Sequence, residues 1–247
     1  MAEAFIGTSG WVYRDWIGIF YPRELPSRER LRYFSLHFRT TEVNYSFYHL
    51  PRAETYNDWY NQTDKDFVFS VKASRFITHV SKLKDVEDAW ERFFQGALNL
   101  KNKLGPILFQ FPPTFRADAE HVKRLEGFLE IINLRKHRFS FEFRHVSWCD
   151  PGIYKLLKRY GNAWVISDSS KYPKAEVVTA DFVYVRMHGP ESLFSSKYTY
   201  DALASLAGKI RNWLKEGLDI YIYFNNDFHG YALENAKELL KLLGRKR

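Results

Sequence analysis

Glu42, Glu142 and His188 are the side chains of this 247-residue sequence best suited to move protons, and Lys72, Arg75, Arg144 and Arg186 those best suited to hold an anion. Two carboxylates can divide acid and base roles when burial and neighbouring arginines push their pKa values apart. A histidine beside them could shuttle a proton near neutral pH, oriented by Glu142 or Asp227. Several cations around one opening favour a phosphate or carboxylate and oppose an unshielded divalent ion. Glu42, His79, Glu142, Asp168, His188 and Asp227 are of metal-ligating type, but they show no compact spacing such as His-Glu-x-x-His, so no metal centre is expected. No cofactor motif stands out. Gly7-Thr8-Ser9-Gly10 lacks the glycine spacing that cradles a dinucleotide phosphate, Ser9 is not in a Gly-x-Ser-x-Gly elbow, and Cys149 has only His145 nearby as a base.

Around these groups, Ser9, Asn44, Gln110, Asn225, Asn226 and Asp227 could orient hydroxyls or amides of a ligand. Trp11, Tyr13, Trp16, Phe47, Tyr48 and Trp148 could stack on a base or sugar, as aromatic rims do in nucleotide and single-stranded nucleic-acid sites. Each group also has a plainer reading. Glu142 with Arg144 could be a buried ion pair that fixes register, His188 a hydrogen-bonded core residue, and the aromatic rings hydrophobic plugs.

The elements that must position these residues follow from periodicity. Eight short β-rich runs (5–8, 40–44, 67–72, 106–111, 139–144, 163–168, 182–188 and 219–225) alternate with helical stretches, which predicts α/β architecture as a closed parallel (β/α)₈ TIM-type barrel. An open doubly wound sheet is the main competitor, and the missing glycine fingerprint speaks against it. In the intervening segments Leu125, Phe128, Leu129 and Ile132 fall at i, i+3, i+4, i+7, and Leu203, Leu206, Ile210, Trp213 and Leu214 behave alike. Ala236, Leu240 and Leu243 mark a last helix, and residues 244–247 read as a solvated end. Alternation along the strands then sorts the side chains. Phe139, Phe141 and Phe143 share one face and Ser140, Glu142 and Arg144 the other. Tyr184, Arg186 and His188, then Tyr221, Tyr223 and Asn225, face the same way as Glu42, Asn44, Lys72 and Gln110, and Asp168 ends the sixth run. Polar residues thus gather at strand C-termini, where barrel enzymes keep their sites.

Composition sets wider bounds. With 45% apolar and 27% charged residues the chain can bury a sizeable core, and one domain over 1–247 is expected. A net charge of +8 suits anionic partners or simple solubility, and aromatic residues at 18% exceed what a core needs. The single cysteine, Cys149, excludes an intrachain disulfide and a thiolate cluster and fits a reducing cytoplasmic location. No leader pattern and no run of about 18 apolar residues occurs, so neither secretion nor a membrane partner is expected.

These motifs carry a resemblance. Gly7-Thr8-Ser9-Gly10-Trp11; Glu42-Val43-Asn44 with Ser46-Phe47-Tyr48; residues 67–72 leading to Arg75 and Thr78-His79; Leu104-Gly105-Pro106; Gln110-Phe111-Pro112-Pro113; Glu142-Phe143-Arg144-His145 with Ser147-Trp148; Arg186-Met187-His188-Gly189; and Tyr223-Phe224-Asn225-Asn226-Asp227 together resemble the YecE-like family over essentially the whole chain. The resemblance implies a TIM-type barrel and marks these strand-end positions, but it implies no reaction. Three functions remain open: a metal-independent acid/base enzyme on a phosphorylated or carboxylated substrate, a nucleic-acid-binding protein, nuclease-like or not, and a barrel that binds a regulatory metabolite. The sequence leaves oligomeric state open.

Overall fold

The computed structural model describes residues 2–245 and 247. Eight parallel strands close into one barrel in the order β1 to β8, as the alternation predicts. They are β1 (Ala4–Ser9), β2 (Thr40–Val43), β3 (Val68–Lys72), β4 (Leu104–Gln110), β5 (Phe139–Glu142), β6 (Ala163–Asp168), β7 (Phe182–Met187) and β8 (Asp219–Phe224). The connections carry α1 (Arg30–Ser35), α2 (Tyr45–Tyr48), α3 (Ala53–Asn61), α4 (Glu87–Ala97), α5 (Ala119–Asn133), α6 (Pro151–Arg159), α7 (Tyr200–Lys215) and α8 (Tyr231–Leu242). No helix among the described residues is long and apolar enough to cross a membrane.

The helices form where the sequence supplies both a stripe and a start. Asp118 caps α5 by accepting the His121 amide at 2.8 Å, and Leu125, Phe128, Leu129 and Ile132 are all buried against the barrel. Thr199 caps α7, whose Leu203, Leu206 and Ile210 are buried, with Trp213 and Leu214 packed at the margin. Between β6 and β7 the strand–helix alternation fails. Residues 169–181 contain Pro173 and the β-branched run Val177, Val178 and Thr179 and offer no helical stripe. They are held instead by side chains: Trp164 Nε1 donates to the Ala175 carbonyl at 3.1 Å, and Thr179 Oγ1 donates to the Asn162 carbonyl while accepting the Trp164 amide, both at 2.7 Å.

Two apolar clusters divide the molecule. The larger lies between strands and helices, and the smaller fills the barrel with Leu108, Val165, Phe182, Tyr184, Tyr221 and Tyr223 among others. Register keeps the facing sense consistent around the ring, with Ser9 opposite Glu42, Gln110 opposite Glu142 and Ser167 opposite Arg186. Asp168, read from its strand-end position as part of the polar mouth, has the opposite parity. It bonds Tyr198 Oη at 2.9 Å and pairs with Lys174 on the helix side. The C-terminal tail is not simply solvated. Arg245 reaches the Ala4 carbonyl at 3.2 Å and Arg247 pairs with Asp64 at 2.9 Å, while Lys246 lies outside the described residues.

Gly7 faces inward where β1 meets β2, and a Cβ there would stand 2.1 Å from the Thr40 carbonyl oxygen. That oxygen belongs to backbone and cannot step aside, so Gly7→Ala should cost about 3 kcal/mol through overpacking. Gly127 inside α5 has nothing within 4 Å of the same position, and Gly127→Ala should stabilise by about 0.5–1 kcal/mol through helix propensity. Urea unfolding of the two variants should therefore show shifts of opposite sign.

Candidate active site

The upper end of the barrel is built in layers. Tyr184 and Tyr223 contribute their rings to the apolar interior and lift their hydroxyls toward the C-terminal end, Tyr223 to 2.8 Å from Thr40 Oγ1 and Tyr184 donating to Glu42 Oε2 at 2.7 Å. Above them lies a chain of charges. Arg186 donates from Nε and Nη2 to the two oxygens of Glu42 at 3.0 and 2.7 Å, and from Nη1 to Glu142 Oε2 at 2.5 Å. Arg144 Nε takes the other oxygen of Glu142 at 2.8 Å. Ser9 Oγ donates to Glu42 and accepts from Asn44 Nδ2 at 2.8 Å.

This arrangement sets the protonation states. Complete burial works against charge on Glu42, but Arg186 and the Ser9 hydrogen bond outweigh it and hold the carboxyl below its usual range. Glu142 is likewise buried, yet Arg186 and Arg144 hold it well below the carboxylate range. The two carboxyls are therefore pushed the same way, and no split into an acid and a base arises between them. Both are fully shielded from solvent under the guanidinium groups, with Glu42 already accepting from Ser9, Tyr184 and Arg186. Their geometry is that of groups that hold arginines in place.

His188 is also sealed below the surface. Its Nδ1 lies 3.1 Å from Asn225 Nδ2, a group that can only donate, so the ring proton sits on Nε2, 3.6 Å from Glu142 Oε1. Burial lowers its pKa against the pull of Glu142, and the ring is neutral at pH 7. Its orientation comes from Asn225 and Glu142, without Asp227. Phe194 covers it at 5.9 Å between ring centroids, from a left-handed backbone (φ 66°) that is costly for a large side chain.

Over this floor opens a cavity of about 650 Å³. Its polar wall is made by Asn44, Lys72, Arg75, Gln110, Arg144, Arg186, Asn225 and Asp227, and Tyr48 forms part of the rim. Those nine are sequence candidates that the fold brings together. Tyr13, Phe47 and His79 join them, as do Phe194 and Phe228, which sequence reasoning missed because the loops after β7 and β8 carry no periodic signal. Tyr172, on the irregular β6–β7 connection, stacks 4.2 Å from the Arg144 guanidinium and was missed for the same reason.

Other candidates go elsewhere. Trp148 is wholly buried on the helix side, 4.4 Å from the Phe143 ring, with its indole N–H donating to the Phe115 carbonyl at 2.7 Å. It is a core residue because it closes the Phe139, Phe141 and Phe143 face. Asn226 has no exposure and bonds Ser196 O at 2.9 Å and Asn235 Oδ1 at 3.0 Å, fastening α8. Trp11 packs edge-on to Trp59 at 5.4 Å and lines a separate apolar pocket of about 510 Å³ that meets the main cavity at Tyr13 and Asn44. Trp16, also read as rim, is buried and holds the Asp227 carbonyl through its indole N–H at 3.1 Å. Ser9 lies under the floor with Glu42.

The groups that titrate near neutrality line the cavity. Burial, with Arg186 and Arg144 beside it, lowers Lys72 to about 7. Burial raises Asp227 to about 6, with Asp15 adding to the effect. His79 is pushed down to about 4 by burial and the nearby Lys72, Arg144 and Arg75. Four cations, Lys72, Arg75, Arg144 and Arg186, thus face three carboxylates, Glu42, Glu142 and Asp227, and neither Lys72 nor Arg75 makes an ion pair among the described residues. Among the same residues no cluster of three His, Cys, Asp or Glu side chains is arranged to hold a metal ion.

A family model described as a protein of unknown function, DUF72, matches residues 5–247. The UPF0759 protein YunF of Bacillus subtilis is 27% identical over 97% of this chain and 94% of its own length. The UPF0759 protein YecE of Escherichia coli K12 is 28% identical over 67% of this chain and 59% of its own length, in line with the family resemblance of the strand-end motifs. The crystal structure of a DUF72 family protein from Thermotoga maritima is 29% identical, covers 98% of this chain and all of its own, and superposes with a TM-score of 0.87.

The charge chain makes its own test. In the parent protein Glu42 and Glu142 contribute stability that is present above the usual carboxylate range and lost as pH falls through their depressed values. Arg186→Met takes the paired guanidinium from Glu42 and leaves Glu142 with Arg144 alone, and should cost on the order of 3–5 kcal/mol at pH 7. Burial then raises the Glu42 carboxyl, so the deficit should shrink as pH falls from 7 to 5 in urea unfolding. A deficit that does not change with pH would show that these carboxylates do not depend on Arg186.

Proposed function

The chain belongs to the DUF72 family, and on that premise we propose that its barrel mouth is the active site of a metal-independent enzyme acting on a phosphorylated or carboxylated substrate. One observation carries the reading: four cations meet three carboxylates around the cavity, and two of the cations, Lys72 and Arg75, make no ion pair among the described residues. An anionic ligand group placed there completes the charge balance of a site with low dielectric, where each such contact is strong. The same excess of positive charge opposes a bare divalent ion.

The acid/base work belongs to Lys72 and Asp227, which titrate near neutral pH and line the cavity, in place of Glu42 and Glu142. Glu42, Glu142 and His188 are positioning residues that fix Arg186, Arg144 and Asn225. Arg75, Asn44 and Gln110 complete the polar wall. A nucleic-acid ligand is the second reading, and the rim supports it: Tyr48 is 71% exposed and Phe228 49%, surfaces on which bases stack. Gel shifts with single-stranded oligonucleotides should then weaken steeply with salt, and no shift at low salt removes this reading.

Sulfate stays a dianion from pH 6 to 9 and is a suitable probe of the anion site. Binding an anion beside Lys72 favours its charged form and moves its pKa up from about 7, so sulfate binding at pH 7.5 should take up protons and weaken as pH rises. Calorimetry in buffers of different ionisation enthalpy measures the uptake. Lys72→Met should weaken binding about ten-fold and abolish most of the proton uptake. Absence of sulfate binding at low ionic strength would overturn the anion site.

A further inference from the structure

We propose that Lys72 is a covalent catalytic residue whose amine condenses with an aldehyde or ketone carbonyl of the anionic substrate to form an imine. This rests on the anion-site reading above and goes beyond it by assigning the reaction type and the substrate class: 2-oxo acids or carbonyl compounds bearing a phosphate.

A nucleophilic lysine must reach its substrate, lack a carboxylate that would keep it protonated, and be held still. Lys72 is the last residue of β3, at the C-terminal end of the barrel, and its side chain lines the cavity although the residue is only 8% exposed. Among the described residues its Nζ makes no hydrogen bond and no ion pair, and it rests 4.1 Å from the centroid of the Phe47 ring. Glu42 and Glu142, the nearby acids, are taken up by Arg186 and Arg144. Those two guanidinium groups crowd the ammonium form, and the neutral amine is substantially populated at pH 7. The other buried lysine shows the contrast. Lys103 donates to the Tyr60 carbonyl at 2.6 Å and to the Thr63 carbonyl and hydroxyl at 2.8 and 3.1 Å, so its amine is fully occupied.

The chemistry balances without an oxidant or reductant. The Nζ lone pair attacks the carbonyl carbon, the C–N bond forms as the C=O π pair moves to oxygen, and a proton passes from nitrogen to that oxygen to give a carbinolamine. Nitrogen then expels the hydroxyl, which leaves as water with a proton delivered from solvent in the cavity. The product is a protonated imine and one water, and hydrolysis returns the proton by the reverse path. Arg144 holds the substrate's anionic group beside this carbon, where the negative charge draws the free amine toward its ammonium form before reaction and stabilises the protonated imine after it. The iminium then serves as the electron sink for breaking a neighbouring C–C or C–H bond.

Reductive trapping tests it. The protein is incubated at pH 7 with pyruvate, glyoxylate or dihydroxyacetone phosphate in the presence of cyanoborohydride and analysed by intact mass and peptide mapping. The expected result is one adduct on Lys72 with at least one of the three, formed about ten-fold or more faster than on exposed lysines, because an ordinary lysine is below about 0.1% neutral at this pH. Excess sulfate should suppress it, Lys72→Arg should remove it, and its rate should rise with pH through about 7. If sulfate binds but Lys72 is labelled no faster than surface lysines by any of the three, the imine is overturned and the anion site stands. If sulfate does not bind and Lys72 is not labelled, both fall. Labelling of Lys72 that sulfate does not suppress keeps the imine and removes the anion site.

Discussion

Arg186 is the group on which the upper barrel depends. Its guanidinium is buried to 1% exposure and spans the axis from Glu42 on β2 to Glu142 on β5, so one side chain ties opposite sides of the ring together. Such buried pairs contribute little net stability against apolar replacements of the same shape. What they supply is geometry. A planar fork with fixed donor directions sets where both carboxylates sit, and Glu142 in turn sets Arg144. Remove the fork and Glu42 is left with the hydroxyls of Ser9 and Tyr184, and Glu142 with Arg144 alone.

The barrel reaches this charged layer gradually. Its lower interior is filled by Phe182, Tyr221, Leu108 and Val165, and the next step is tyrosine, whose ring belongs to the core and whose hydroxyl belongs to the polar layer. Tyr184 makes that step directly by donating to Glu42. The floor thus rests on packed rings while the surface that lines the cavity is polar. Rigidity below and charge above is the combination that preorganised sites require, because the dipoles are already in place when a ligand arrives.

Much of this was legible in the sequence. Alternation along β5, β7 and β8 correctly separated Glu142, Arg186 and Tyr223 from the phenylalanine and isoleucine face, since a two-residue period leaves little choice of side. The same period says nothing about height. Glu42 and Arg186 share a parity, yet one lies under the floor and the other forms it, and only the three-dimensional stagger of the strands decides which. Loop residues had no period to constrain them. Trp148 and Trp16 follow strands and were read as rim, but each ring found a larger apolar surface to cover below. Asn226 was pulled out of the mouth by Asn235 on α8, a partner nine residues away whose position no local pattern shows. The missing helix between β6 and β7 was foreshadowed by Pro173 and the β-branched run after it.

That helix-free connection makes the cavity wall mechanically uneven. The neighbouring connections from β3 through β6 carry α4, α5 and α6 and have ladders of their own, whereas residues 169–181 are held by side-chain bonds, to Trp164 and Asn162 in the core and to Asp168, Lys209 and Arg138 nearer the surface. A segment held by a few anchors opens at lower free energy than one that must unwind a packed helix. Tyr172, which leans on Arg144, rides on this segment. The floor of the barrel is therefore fixed by the ring of strands, and the segment that leans on Arg144 is the part of this end of the molecule that yields first.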